Sequence, residues 1–230
     1  MSCSARDAPN CCDNGGRAIL PTSRYIGTDG KRLPSVTTII NSTWVKGEGL
    51  IAWANREGLA GRSHTEARDR AAEIGTAAHA LILSTMGGVA ATAPIDPEIR
   101  KPALVAAGHG IEWSTRHECV PLMCESPLFS DEMGYGGTPD WYGLLDGVPT
   151  LLDIKTSRDL HAEHWVQTAA YRALLESNGH DVAQVLLLQC RRDEGSAARA
   201  VRRSPEQQAV DLQAWLLCQQ MYEIRSRVHK

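Results

Sequence analysis

Two segments rich in aliphatic and aromatic residues, GTPDWYGLL and PTLLDIKTS, flank the dipeptide Asp146-Gly147. That arrangement constrains the fold more than any other feature of the chain. Asp-Gly accepts the positive φ values of a two-residue turn, whose twist suits a β-hairpin. Such a turn pairs Leu145 with Val148 and places Asp140 directly opposite Asp153. Cross-strand partners have Cβ atoms roughly 4.5–5.5 Å apart, and like charges there are destabilising. Two anions about 4 Å apart repel by ~4 kcal/mol at an effective dielectric near 20, so a compensating charge is expected. Lys155 points to the same face as both carboxylates, because strand side chains alternate. The opposite face presents Trp141, Leu145, Leu152 and Ile154, a surface suited to a core. A slip of one residue would exchange the two faces.

Two readings of that polar face stand side by side. Paired carboxylates are a usual seat for a hard divalent cation, which takes oxygen ligands and can bring in a phosphate, and an adjacent ammonium can offset charge building on a phosphoryl group. Phosphodiester hydrolysis is the chemistry this suggests. The plainer reading is a solvated surface hairpin with an Asp–Lys cross-strand pair.

The rest of the chain narrows the class. Its 230 residues, 43% apolar and 22% charged, suit a globular protein able to bury a core. No run approaches the roughly 20 apolar residues of a membrane span, and the opening MSCSARDAPNCCDNGG lacks the apolar stretch of a secretory leader, so a cytoplasmic location is expected. Seven cysteines without any CxxC pair point to reduced thiols. A net charge of -3 argues against coating nucleic acid by bulk charge.

Residues 1–17 are small and polar without periodicity and are expected to form a mobile tail, with one domain over 18–230. Ser35 is placed to cap a short helix, and another helix closes near Gly61. The spacing of Ala67, Ala71, Ile74, Ala78, Leu81 and Ile82 predicts a long helix over 64–86. Asp96-Pro97 starts a further helix, to about Arg116. Four strand-type runs follow: ECVPLMCES, the two hairpin arms, and AQVLLLQC. A helix ended by Gly179 lies between the last two runs, and Ser204-Pro205-Glu206-Gln207 opens a terminal helix. Helices before, within and after the sheet predict an α/β fold.

Three further segments supply polar groups. GTAAH ends in His79, with Gly75 one helical turn earlier, where the absent side chain permits close approach. Gln167 and Tyr171 lie one turn apart on the helix after the Lys155 strand. Each would be unremarked alone: a helical histidine is usually structural, and Gln with Tyr at this spacing are ordinary surface and core positions.

In order, GTAAH (75–79), GTPD (137–140), DIKTS (153–157) and QTAAY (167–171) resemble the motifs of the PD-(D/E)xK nuclease superfamily, within it the RecB-like exonuclease branch. The PSVTTII segment is similar to phage exonucleases and the mitochondrial genome maintenance exonuclease. The resemblance covers about residues 34–171. It implies a restriction-endonuclease-like core, a central mixed β-sheet flanked by helices, and a DNA exonuclease dependent on Mg²⁺ or Mn²⁺. It implies that His79, Asp140, Asp153 and the Ile154 carbonyl hold the metal, with Asp140, Asp153 and Lys155 catalytic and Lys155 activating the attacking water. Gln167 and Tyr171 would organise the site and touch DNA, Thr156 and Ser157 are candidate phosphate contacts, and Glu125 is a further acidic candidate. The implied partner is DNA, single-stranded or with free ends, with a recombination or replication protein as a conceivable second partner and no membrane. Some relatives carry an iron–sulfur cluster on one early and three late cysteines. The late cysteines here are Cys190 and Cys218, so no cluster is expected.

Arg191, Arg192, Arg199, Arg202 and Arg203 follow the last strand and could face a phosphate backbone from a hairpin, or simply keep an exposed hairpin soluble. Two alternatives remain beside the exonuclease: an endonuclease of the same superfamily, and a catalytically silent DNA-binding module.

Overall fold

The computed structural model describes residues 25–45, 47–61 and 63–228; the expected tail over 1–17 lies outside them. The hairpin forms in the expected register. β6 (Trp141–Leu145) and β7 (Val148–Lys155) pair antiparallel, with Leu145 against Val148 and Trp141 against Leu152. Asp146 and Gly147 both take positive φ, 51° and 78°, as the turn requires. The Asp146 carboxylate also accepts the Glu118 N–H at 2.9 Å, which anchors the turn to the start of the neighbouring strand.

Around this hairpin stands a five-stranded mixed sheet, ordered β3 (Cys119–Cys124), β6, β7, β8 (Gln184–Gln189), β9 (Arg199–Arg202). Only the β7–β8 pair is parallel. Parallel neighbours need a crossover, and α5 (Ala162–Ser177) supplies it. Gly143 sits where β3 passes closest: a Cβ there would stand 2.2 Å from the Val120 carbonyl oxygen. The fold class is thus as expected, a central mixed sheet flanked by helices.

Both faces of the sheet are covered, which explains the near-continuous apolar character of β7 and β8. On one side α3 (His64–Thr85) and α4 (Pro97–Ser114) pack Ile74, Ala78, Ile82, Ala103 and Ala107 on Trp141, Leu152, Ile154 and Leu186. On the other, α1 (Val36–Thr43), α5 and α6 (Pro205–Val228) enclose Leu151, Tyr142 and Val185 with Ile39, Leu174 and Trp215. Ser35 and Asp96 each accept a first-turn N–H as expected, and Ser63 does the same for α3; Ser204 and Gln207 exchange hydrogen bonds at the start of α6. α2 (Glu48–Leu59) ends before Gly61.

Two small antiparallel pairs were not anticipated. β1 (Tyr25–Ile26) pairs with β2 (Arg32–Leu33), and β4 (Leu128–Ser130) with β5 (Tyr135–Gly137). β5 takes the first residue of GTPD, so that motif is not one strand with β6: Thr138, Pro139 and Asp140 form a break between β5 and β6. Cys119, Cys124, Cys190 and Cys218 are free thiols. No helix among the described residues is long and apolar enough to cross a membrane.

Candidate active site

The break between β5 and β6 is what frees Asp140. Its backbone carbonyl accepts the Glu125 N–H at 3.0 Å, and its side chain turns to β7, where Oδ2 accepts the Ile154 N–H at 2.7 Å. Asp140 thus occupies the end of the β6–β7 ladder, one step past Trp141. Trp141 is fully buried and donates its indole N–H to the Met86 carbonyl at 3.1 Å, pinning the strand to the end of α3.

Asp153, in β7, is 1% exposed, and its Oδ2 lies 2.6 Å from Lys155 Nζ. The ion pair is close but poorly aligned, and Oδ2 has no well-formed hydrogen-bond donor. Lys155 Nζ donates instead to Gln167 Oε1 at 3.1 Å, and Gln167 Nε2 donates to the Tyr171 hydroxyl at 2.9 Å. The α5 pair expected from sequence is therefore joined to the β7 lysine as a chain of three side chains. Gly137 makes room for it: a Cβ there would stand 2.6 Å from Tyr171 Cε1. Tyr171 is buried, and burial followed by the Asp153 charge raises its pKa, so it stays a neutral phenol whose oxygen accepts from Gln167.

His79 enters from α3, on the opposite helical layer, with Nδ1 3.4 Å from Asp140 Oδ2. Burial works against its charged form, but Asp140 outweighs that and raises its pKa. Burial likewise works against ionised Asp140, yet His79, Lys155 and the Ile154 N–H together hold its pKa below the usual carboxylate range. Asp153 goes the other way: burial is the largest effect, Lys155 opposes it, Asp140 adds to it, and the pKa rises to about 6. Lys155 stays charged, because Asp153 and Asp140 overcome its burial. Environments that push two carboxylates apart are typical of functional sites.

Of these groups His79 and Lys155 border an open cleft of about 390 Å³, lined also by Gly75, Glu125, Thr156, Ser157, His164 and Arg192 among others. Among the described residues Glu125 is one of two non-glycine residues at positive φ, 44°, and its pKa is raised by burial and then by Asp140. A non-glycine residue held there marks a strained position of the kind found at functional sites. Thr156 is buried and its hydroxyl accepts from Arg192 at 3.0 Å, while the Ser157 hydroxyl donates to the Asp159 carbonyl at 2.8 Å. Both belong to the cleft wall, but their hydroxyls are already engaged.

Two cleft residues carried no signal of their own in the sequence. His164 lies one turn before Gln167 on α5, and its pKa is pulled down to about 3 by burial, then by Lys155 and His161, so it is neutral. Its spacing from Gln167 was the available clue. Arg192 is one of five arginines in the segment after β8, and the structure divides them. Arg192 donates to the Ala71 carbonyl at 2.9 Å and to Thr156, and its buried Nε has no partner. Arg191 pairs with Asp193, and Arg203 turns away to lie 4.4 Å over Trp165 and pair with Asp211. Arg199 and Arg202 are exposed.

Among the described residues, no three His, Cys, Asp or Glu side chains converge into a preassembled metal site. The donors suit a hard cation nonetheless. Asp153 Oδ2 is a buried anionic oxygen without a well-aligned donor, and the carboxylate of Asp140 and imidazole of His79 lie beside it. Carboxylate oxygens with an imidazole are ligands that Mg²⁺ and Mn²⁺ accept.

No protein-family model matches the chain, and no curated protein does. Among solved structures, it is similar to that of a candidate exonuclease from Eubacterium rectale, with a TM-score of 0.46 and 13% identity over 68% of this chain. The chain spans 65% of that structure's length. Likeness at that level leaves the functional reading to the site's own residues.

Proposed function

We propose that this chain is a divalent-metal-dependent deoxyribonuclease, an exonuclease that hydrolyses phosphodiester bonds from single-stranded or resected DNA ends. The observation that carries the reading is the pairing of Asp140 and Asp153 at one end of the hairpin, with Lys155 held between Asp153 and the Gln167–Tyr171 pair. A silent binding module has no physical need to keep opposed carboxylates buried against their mutual repulsion. The run of motifs from GTAAH to QTAAY supports the exonuclease branch over other hydrolases.

In this reading Asp140, Asp153, His79 and the Ile154 carbonyl hold Mg²⁺ or Mn²⁺, which when bound supplies positive charge to the scissile phosphate and lowers the pKa of a water. Lys155 orients the attacking water and offsets negative charge building on the phosphoryl oxygens. Gln167 fixes the ammonium, and Tyr171 fixes Gln167. Arg192 at the cleft wall, with Thr156 beside it, faces the DNA phosphates. This reading gives an iron–sulfur cluster no role; Cys190 is buried under α3 and α4, whereas Cys218 is buried under α6 on the other side of the sheet.

Digestion of 5′-labelled and 3′-labelled single-stranded oligonucleotides, with Mg²⁺ or with a chelator, tests the proposal, with closed circular DNA as a third substrate. Cation-dependent stepwise shortening from one end with circles left intact is the expected result. Cutting of circles would move the assignment to an endonuclease. Absence of any cleavage while DNA is still bound would make the chain a silent module.

A further inference from the structure

α6 presents Trp215 and Cys218 to the core, with Tyr222 partly buried beside them. About a third of a turn away runs a second row that nothing covers among the described residues. Val210, Leu217, Met221, Ile224 and Val228 are 62%, 66%, 49%, 53% and 76% exposed, and half-buried Ala214 lies in line with them. Steps of four, three, four, three and four residues link the six positions. That alternation is the a/d rhythm of a coiled coil, a 3.5-residue repeat that keeps one seam on one side of a helix. An outer helix that meets only water carries polar residues there instead.

We propose that this seam is a self-association surface, on which α6 pairs antiparallel with α6 of a second copy of the chain. A seam of this kind is complementary to itself under a two-fold axis, the commonest symmetry of homo-oligomers. The flanking charges select the orientation. In a parallel, in-register pair Glu206 would face Asp211 of the second copy, acid against acid, on both sides of the seam. In an antiparallel pair with Leu217 opposite the second copy's Met221, Val210 meets Val228 and Ala214 meets Ile224. Every apolar position then has an apolar partner. Asp211, which already pairs with Arg203 at 3.2 Å, comes beside Arg225 of the second copy, whose guanidinium also donates to the Ser42 carbonyl of its own chain, twice by symmetry. The contact is roughly 27 Å long and about 10 Å wide, about 500 Å² over the two copies and smaller than a standard specific interface, so the dimer is a weak one, populated at tens of micromolar and above.

Sedimentation velocity of the full chain from about 1 to 100 μM is the test. The 25.0 kDa monomer should give way to a species of twice that mass as concentration rises. Leu217→Glu with Ile224→Glu, at positions already exposed, should keep the circular dichroism and melting of the parent and stay monomeric throughout. For orientation, Gln220→Cys should form an inter-chain disulfide on oxidation, since residue 220 faces its own copy near the antiparallel axis, whereas Val228→Cys should not. A parent chain monomeric at 100 μM, or a double variant that still dimerises, overturns the proposal and leaves residues 1–24 or another protein to cover the seam. Cross-linking of Val228→Cys but not Gln220→Cys overturns the antiparallel arrangement.

Discussion

Asp153→Asn should abolish cleavage and at the same time make the metal-free protein more stable at neutral pH. Asp153 is 1% exposed and its pKa stands at about 6 against 3.8 for a free side chain. A carboxyl whose folded pKa is raised favours folding most below its unfolded pKa, and that contribution is lost as pH rises through the folded value. The difference between 3.8 and about 6 corresponds to ~3 kcal/mol above pH 6. An amide mimics the neutral acid only in part, and the Lys155 attraction is already contained in the folded pKa, so a net of about 1–3 kcal/mol is expected. For a chain of this size that is roughly 2–10 °C in melting temperature. Thermal melts of both proteins from pH 4 to pH 8 in chelator should nearly coincide at the acid end, diverge between about pH 4 and pH 6, and keep a constant separation above pH 6. Adding Mg²⁺ should then raise the parent but not the variant, since a ligand stabilises only the state that binds it. A variant that melts below the parent at pH 7.5 without metal, with the same pH profile, would refute the reasoning.

Further outcomes follow from single contacts. Lys155→Met should lower turnover by about 10²–10⁴, and Lys155→Arg should not restore it, because the planar guanidinium cannot reproduce an ammonium seated between Asp153 and Gln167; single-turnover assays read both. Arg192→Gln should weaken DNA binding more than turnover and reduce the slope of log affinity against log salt by about 1, as expected for one lost phosphate contact; a binding titration at several salt concentrations checks this. Trp215→Ala, which removes a ring 1% exposed and 4.8 Å from that of Tyr135, should cost about 3–5 kcal/mol in a denaturant titration. Gly143→Ala drives a Cβ into the Val120 carbonyl, and because that neighbour is backbone, a loss of at least ~1–3 kcal/mol is expected in the same assay.

Much of the hairpin and its flanks was legible because local chemistry decided it. Asp146-Gly147 set the turn, the turn set the register, and the register put Asp153 and Lys155 on one face. Capping residues marked α1 and α4, apolar spacing marked α3, and Gly179 with its positive φ marked the end of α5. The two-residue β1 and β2 and three-residue β4 and β5 are too short for periodicity, and they exist through tertiary contacts such as the Tyr25 hydroxyl on Thr138 at 2.7 Å. Those contacts also break the chain before Asp140, which a pattern of apolar residues cannot register. Arg192 was invisible as an individual because its role depends on reaching Ala71, 121 positions away, whereas Arg203 in the same run found Trp165 instead. Gln189 is buried and holds the Ser157 and Arg158 carbonyls at 3.1 and 2.8 Å, yet in sequence it reads as one polar residue closing a strand.

His79 reaches Asp140 from beneath the sheet, while Gln167 and Tyr171 approach Lys155 from above. Neither helical layer contains a working half of the pocket, and the hairpin by itself would be a strip of repelling acids. Transplanting β6 and β7 into another scaffold would therefore fail unless both an imidazole and an amide–phenol pair were rebuilt from opposite sides. A folding intermediate in which only one layer had docked would have neither the imidazole nor the amide in register with the carboxylates, so activity should return on refolding only when the slower layer arrives.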